Sequence, residues 1–330
     1  MQRQQLFTAW LSALFPNENF TIAPASADAS FRRYFRVAFT DRTMILMDAP
    51  PQQENCKQFL HVGKLFEDAG THVPHVYAQD LEQGFLLLSD LGNTTYLQAL
   101  DSKNAQQLYG SATDALIKIQ VSSKASELPL YDEAMLRREL NLFPEWYIAK
   151  HLGITLNENH LLKLEECFRR ILRNNLAQPN VYVHRDYHSR NLMLADPNPG
   201  ILDFQDAVYG PISYDLVSLF KDAYIRWEEA EIMDWLIRYW EKARKAGLPV
   251  REDFGEFYRD YEWMGVQRHI KVLGIFARLC HRDGKDGYLQ DMPLVMDYLR
   301  RACERYIELK PLLNLLNELE PQEKQVGYTF

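Results

Sequence analysis

The sequence predicts an α+β fold in two lobes, a small strand-rich lobe over residues 1–91 and a larger, mainly helical one over residues 92–330. Three observations predict it. β-like runs crowd the first lobe around a single amphipathic helix, whereas stretches with apolar residues at helical spacing dominate the remainder. A compact group of short apolar runs joined by turn residues, Val181 to Asp206, interrupts those helices.

Taken in order, Gln2 to Leu14 carries Leu6, Phe7, Trp10, Leu11 and Leu14 as a helical stripe closed by Pro16. Strands are expected over Asn19–Pro24, Phe31–Phe39 and Thr43–Ala49, the last two joined by a turn at Thr40-Asp41-Arg42. A helix from about Gln52 to Ala69 buries Phe59, Val62, Leu65 and Phe66 and stops at Gly70. After His72-Val73-Pro74 comes another strand, and Gly84 to Gly92 reads as a strand followed by a hinge. In the second lobe, Glu145 and Trp146 fall in an apolar helical stretch, where Trp146 is either a core residue or a platform for a ring. A long helix is expected from about Asp253 to His281. Its Val266, Ile270, Leu273, Ala277 and Cys280 form an apolar stripe, while Arg268, Lys271, Arg278 and Arg282 share another face. That basic face is either solvated or the wall of a pocket for an anionic group.

The chemistry concentrates in Val181 to Asp206. A strand end leads into His184-Arg185-Asp186, Asn191 follows, and two β-like runs, Leu192–Ala195 and Ile201–Phe204, flank the turn Asp196-Pro197-Asn198-Pro199-Gly200. The second run carries Asp203. Phosphoryl transfer asks for such a set: a carboxylate to orient the attacking hydroxyl, and oxygen ligands for Mg²⁺ on the phosphates. Asp186 supplies the first, and Asn191 and Asp203 are hard oxygen donors.

These residues resemble the protein-kinase-like superfamily, and most closely its aminoglycoside phosphotransferase branch, in which a His two places after the catalytic Asp, here His188, replaces a lysine. Asp215, in Pro211-Ile212-Ser213-Tyr214-Asp215-Leu216, fits that branch as well, and with His184 it is expected to hold the catalytic loop. The segments Ser30 to Phe35, Met47 to Pro51, Leu88 to Gly92, Arg138 to Tyr147 and His184 to Asn191 are similar to the anomeric N-acetylmuramate/N-acetylglucosamine kinases of peptidoglycan recycling. The resemblance implies a protein-kinase-like two-lobe fold, with ATP and Mg²⁺ as cofactors and a small sugar as substrate. It further implies Asp186 and His188 as catalytic groups and Asn191 and Asp203 as metal ligands. Adenine would meet Ser89, Asp90 and Leu91. The sugar would meet Glu145 and Trp146, or Arg268, Lys271 and Arg278 through a lactyl carboxylate. A kinase for an aminoglycoside, choline or homoserine, and a non-catalytic nucleotide-binding scaffold, are the alternatives.

The first lobe departs from the family pattern. The phosphate-covering stretch Ala25 to Tyr34 has no glycine, Met47 stands where a phosphate-gripping lysine is expected, and Phe59 stands near the place of its glutamate partner. Ser30 backbone and one of Arg32 and Arg33, which lie on opposite faces of their strand, are the candidate replacements.

Composition narrows the setting. In 330 residues, 47% hydrophobic and 25% charged residues are those of a globular protein, and the net charge of −8 argues against nucleic acid and anionic membrane surfaces as partners. Cys56, Cys167, Cys280 and Cys303 have neither disulfide nor metal spacing. No apolar run reaches bilayer length, so a cytoplasmic monomer is expected.

Overall fold

The computed structural model describes residues 2–27 and 31–321, and Ser30 lies outside them. In chain order its elements are α1 (Gln2–Leu14), β1 (Thr21–Ala27), β2 (Arg33–Ala38), β3 (Thr43–Asp48), α2 (Cys56–Asp68), β4 (Val76–Asp80), β5 (Phe85–Ser89), α3 (Tyr96–Ala99) and α4 (Ala105–Val121). There follow α5 (Glu133–Leu142), a π-helix (Phe143–His151), α6 (Glu158–Leu176), β6 (Asn180–Val183), β7 (Leu192–Met193), β8 (Gly200–Ile201), β9 (Val208–Pro211), α7 (Tyr214–Phe220), α8 (Glu229–Lys245), α9 (Phe254–Asp283), α10 (Met292–Arg305) and α11 (Lys310–Leu319). The chain forms two compact units.

The first unit holds residues 1–122 and 190–206. It runs past the boundary expected at residue 91 because α3 and its flanks bond to the β7–β8 hairpin: Leu194 N donates to Thr94 O at 2.8 Å and Asn198 Nδ2 to Tyr96 Oη at 2.8 Å. Its sheet is antiparallel in the order β1-β2-β3-β5-β4. One face buries Val37, Leu46, Phe85 and Leu87 against Phe7 and Leu11 of α1, with Phe35 and Met44 at its margin. Strand alternation therefore turns Tyr34, Arg36 and Met47 to the other face, where Tyr34 pairs with Met47 and Met47 with Leu86. α2 begins four residues later than expected, since Asn55 caps it by accepting from Lys57 N. Gly84 is required at its turn: at φ +74°, a Cβ there would fall 1.9 Å from Ala49 O.

The second unit holds residues 123–189 and 207–330. Here α9, thirty residues long, is flanked by α5, the π-helix, α6, α7 and α10. Nearly every side chain from Asp260 to Gly274 is buried, so α9 is a central helix rather than an amphipathic one at the surface. Gly274 permits the closest crossing, since a Cβ would meet the Leu142 carbonyl carbon at 2.5 Å. β6 pairs with β9 and delivers the chain to His184. Among the described residues no helix is long and apolar enough to cross a membrane.

Candidate active site

In the second unit, the turn after β6 is fixed by buried carboxylates. Asp215, fully buried, accepts from His184 N at 2.7 Å and Arg185 N at 3.0 Å. Asp222, also buried, accepts from Ser189 N at 3.0 Å and Tyr224 N at 3.3 Å. Arg185 adopts left-handed backbone, φ 76°, and its guanidinium reaches Glu139 at 2.6 Å. Glu139 also accepts from the Tyr131 hydroxyl and lies 3.2 Å from Lys271 Nζ, which donates to Tyr214 Oη at 2.9 Å. Arg268 Nε donates to Ser218 Oγ at 2.6 Å, and its Nη2 lies 4.0 Å from Asp186.

Asp186 is held among these cations with 41% of its side chain exposed. Burial raises the pKa of its carboxyl, but Lys271, His188, Arg268 and Arg185 outweigh that and bring it down to about 2. Asp215 goes the other way, pushed up to about 7 by burial against the pull of its two amide donors. Asp186, His188, Asp222, Tyr224, Arg268 and Lys271 line a cavity of about 150 Å³ whose far wall carries Phe276 and Tyr288. Ring contacts run along that wall, His188 to Tyr224 at 5.5 Å, Tyr224 to Phe276 at 6.3 Å and Phe276 to Tyr288 at 5.2 Å.

The basic face read from the sequence is thus divided. Arg268 and Lys271 are 4% and 6% exposed, line the cavity and lie beside the protein carboxylates Asp186 and Glu139. Arg278 is half-buried and lies off the cavity lining, and so do Glu145, exposed on the π-helix, and half-buried Trp146. Asp222, Glu139, Tyr224 and Tyr288 had no local sequence signal.

In the first unit, Asn191 and Asp203 come together, Asn191 Nδ2 donating to Asp203 Oδ2 at 3.3 Å. The hairpin arms are shorter than expected, so Asp203 follows β8 in a left-handed turn with φ 60°. Gln205 Nε2 holds its Oδ1 at 2.8 Å, and Phe204 packs on Phe59 and Phe66 at 4.8 and 6.0 Å between centroids. A neighbouring Asp and Asn offer one carboxylate and, on rotation of the amide away from Asp203, one carboxamide oxygen, a donor set that fits Mg²⁺, which takes one or two protein oxygens and fills its octahedron with phosphate and water. At the end of β5, Ser89 N donates to His75 O at 2.9 Å. Asp90 binds Arg36 Nε at 2.6 Å and Gly92 N at 3.0 Å, and Leu91 is buried. The Asp90 side chain is therefore committed to Arg36 and the Gly92 amide.

Arg32 and Arg33 bind different carboxylates. Arg33 turns to the α1 face, where it and Arg3 bind the fully buried Asp48. Arg32, just before β2, lies 2.8 Å from Glu54.

Residues 21–254 match the family model described as the phosphotransferase enzyme family. The chain belongs to this family. An N-acetylmuramate/N-acetylglucosamine kinase of Pseudomonas aeruginosa is 54% identical over 298 residues, covering 90% of this chain and 88% of that protein. One of Neisseria meningitidis serogroup B is 50% identical over 336 residues, covering 100% of both. Among solved structures, choline kinase LicA from Streptococcus pneumoniae superposes with a TM-score of 0.64 at 14% identity, covering 94% of this chain and 99% of that one. An ADP-bound aminoglycoside phosphotransferase, APH(2'')-Ib, gives 0.59 at 15%, covering 88% and 96%. The fold is protein-kinase-like and the chain is a phosphotransferase.

Proposed function

We propose that the protein transfers the γ-phosphate of ATP, with Mg²⁺, to the anomeric hydroxyl of N-acetylmuramate or N-acetylglucosamine. The observation that carries this is Asp186, kept ionised by Arg268 and Lys271 and facing a cavity that is charged at one end and aromatic along its wall. Its carboxylate orients the hydroxyl and accepts the hydroxyl proton as the bond to phosphorus forms. His188, on the same cavity, meets the transferring phosphate. Asn191 and Asp203 hold Mg²⁺, which when bound screens the charge of the phosphate oxygens. Hinge main chain at Ser89, Asp90 and Leu91 takes the adenine. Residues 1–91 act as the nucleotide lobe and 92–330 as the catalytic and acceptor lobe, in the cytoplasm.

Full-length relatives sharing about half their residues with this chain are kinases of those two sugars, which supports the acceptor. A cationic acceptor such as choline or an aminoglycoside fits less well, because Asp186 and Asp222 on the cavity are matched by Arg268 and Lys271. An ATP-consumption assay across free amino sugars, choline, homoserine and an aminoglycoside tests the reading. Turnover confined to the amino sugars supports it, and turnover only with a cation, or with nothing, rejects it.

A further inference from the structure

We infer that Arg32 and Glu54 replace the missing lysine–glutamate pair, Arg32 as the cation on the β- and γ-phosphates and Glu54 as the residue that positions it. The inference rests on the kinase reading above. A chain that transfers a γ-phosphate needs a fixed cation on the phosphates. The strand position that normally supplies it is Met47, fully buried and apolar.

The sheet says which side chains share the Met47 face. Phe35 and Val37 join the α1 core and Arg33 binds Asp48 there, so the residues between them in sequence, Tyr34 and Arg36, face the other way. Arg32 is the residue just before β2, and its guanidinium turns to Glu54, just before the cap of α2. Arg36 is taken by Asp90 and the Gly92 carbonyl. Lys57 is exposed, and Lys64 is exposed and binds Asp68. Arg32 Nη2 lies 2.8 Å from Glu54 Oε2, and both side chains are only 11% exposed. Glu54 Oε1 also accepts from Phe31 N at 3.3 Å, so one carboxylate grips both the side chain of Arg32 and the backbone just before it. Glu54 precedes the cap of α2 rather than lying within the helix, where the family glutamate would be sought and where Phe59 is found instead.

The chemistry favours arginine in this place. Guanidinium presents five N–H donors in a rigid plane, so one edge can remain on a carboxylate while the other receives phosphate oxygens. A buried pair made only for stability would serve equally with its charges exchanged. A phosphate clamp would not.

The test uses the full chain and reads ATP and ADP binding by calorimetry without sugar, together with KM and kcat. Arg32→Ala is expected to weaken ATP binding roughly 10- to 100-fold, the loss of a charge-assisted contact, with the sugar KM within about twofold. Glu54→Gln should weaken it less, and Arg32→Lys should recover part of the loss. The exchange Arg32→Glu with Glu54→Arg should restore thermal stability without restoring ATP binding. The inference is overturned if the exchange restores ATP binding, or if Arg32→Ala binds ATP as the wild type does. Because binding is measured without acceptor, a wild type that binds ATP yet phosphorylates no amino sugar rejects the proposed substrate and leaves this inference standing.

Discussion

Lys271→Met separates two accounts of the basic residues on α9. If Lys271 recognises a substrate carboxylate, its loss should damage only the carboxylate-bearing sugar. The structure points elsewhere. Lys271 is buried 3.2 Å from Glu139, which also holds Arg185 and thereby the backbone next to Asp186. Removing one partner of a buried pair costs roughly 3–5 kcal/mol, and because Arg185 still balances Glu139, about 2–3 kcal/mol is the better figure here. At roughly 2 °C per kcal/mol for a chain of this size, Tm should fall by about 4–6 °C. Glu139→Gln should cost a similar amount, and the double variant should be less damaged than the sum by about 1–3 kcal/mol. Burial opposes ionisation of Glu139, but Lys271 and Arg185 outweigh it and leave its pKa below the ordinary 4.5. The pair therefore stabilises the fold above that pH and fades as pH falls through the lower native value, so the deficit of Lys271→Met should shrink in acid. Thermal melts across pH, and kcat/KM on N-acetylmuramate and N-acetylglucosamine, check this. A loss confined to N-acetylmuramate with an unchanged Tm would refute the structural account, and additive variants would refute the coupling.

Asp186→Asn should keep the wild-type melting temperature and lose roughly 10²–10⁴-fold in kcat, since its side chain is partly exposed and its role is chemical. With its carboxyl held at about 2, Asp186 loses its charge only as pH falls through that value, so the wild-type rate profile between pH 5 and 8 should carry no acid limb from it. Asp203→Ala should abolish the Mg²⁺ dependence of ADP binding measured by calorimetry. Arg33→Ala should leave ATP affinity unchanged while lowering stability by about 1–3 kcal/mol, because Asp48 then keeps only Arg3.

What the sequence made legible follows the reach of each interaction. Asp186, Asn191 and Asp203 stand at short, fixed offsets, and that spacing with the family resemblance drew attention to them. The long helix was also legible, expected over Asp253–His281 and found over Phe254–Asp283. Its surroundings were not. Periodicity separated an apolar stripe from a basic face, yet Arg268 and Lys271 are buried because Ser218, Tyr214 and Glu139, 50 to 132 residues away, supply their partners. Asp222 is hidden for the same reason: it caps Ser189 across 33 residues, and nothing beside it in sequence says so. Glu54 carried no signal of its own for a local reason. The helical pattern extends over it, while Asn55 starts the helix later.

Two carboxylates bound to one turn show how the fold separates chemistry from support. Among the described residues, Arg185 and Asp203 are the non-glycine positions with positive φ, each an expense of roughly 1–3 kcal/mol that only surrounding contacts can sustain. At Arg185 those contacts come from three sides: Asp215 takes its amide, Glu139 its guanidinium, and Ser218 donates to its carbonyl at 3.3 Å while receiving Arg268. The left-handed step sends the next residue out of the packed interior, so Asp186 emerges beside Lys271, His188, Arg268 and Arg185, which bring its carboxyl down to about 2. Asp215, at the start of α7, remains fully buried, and burial pushes its carboxyl up to about 7. Environments that drive neighbouring carboxyls in opposite directions assign different work to each. Asp186 has the charge and exposure to receive a proton from an acceptor hydroxyl, whereas Asp215 spends both oxygens on backbone amides. Asp215→Asn, which can accept at only one oxygen, should therefore lower kcat with Asp186 untouched, and an unchanged kcat would show that the strained turn does not depend on it.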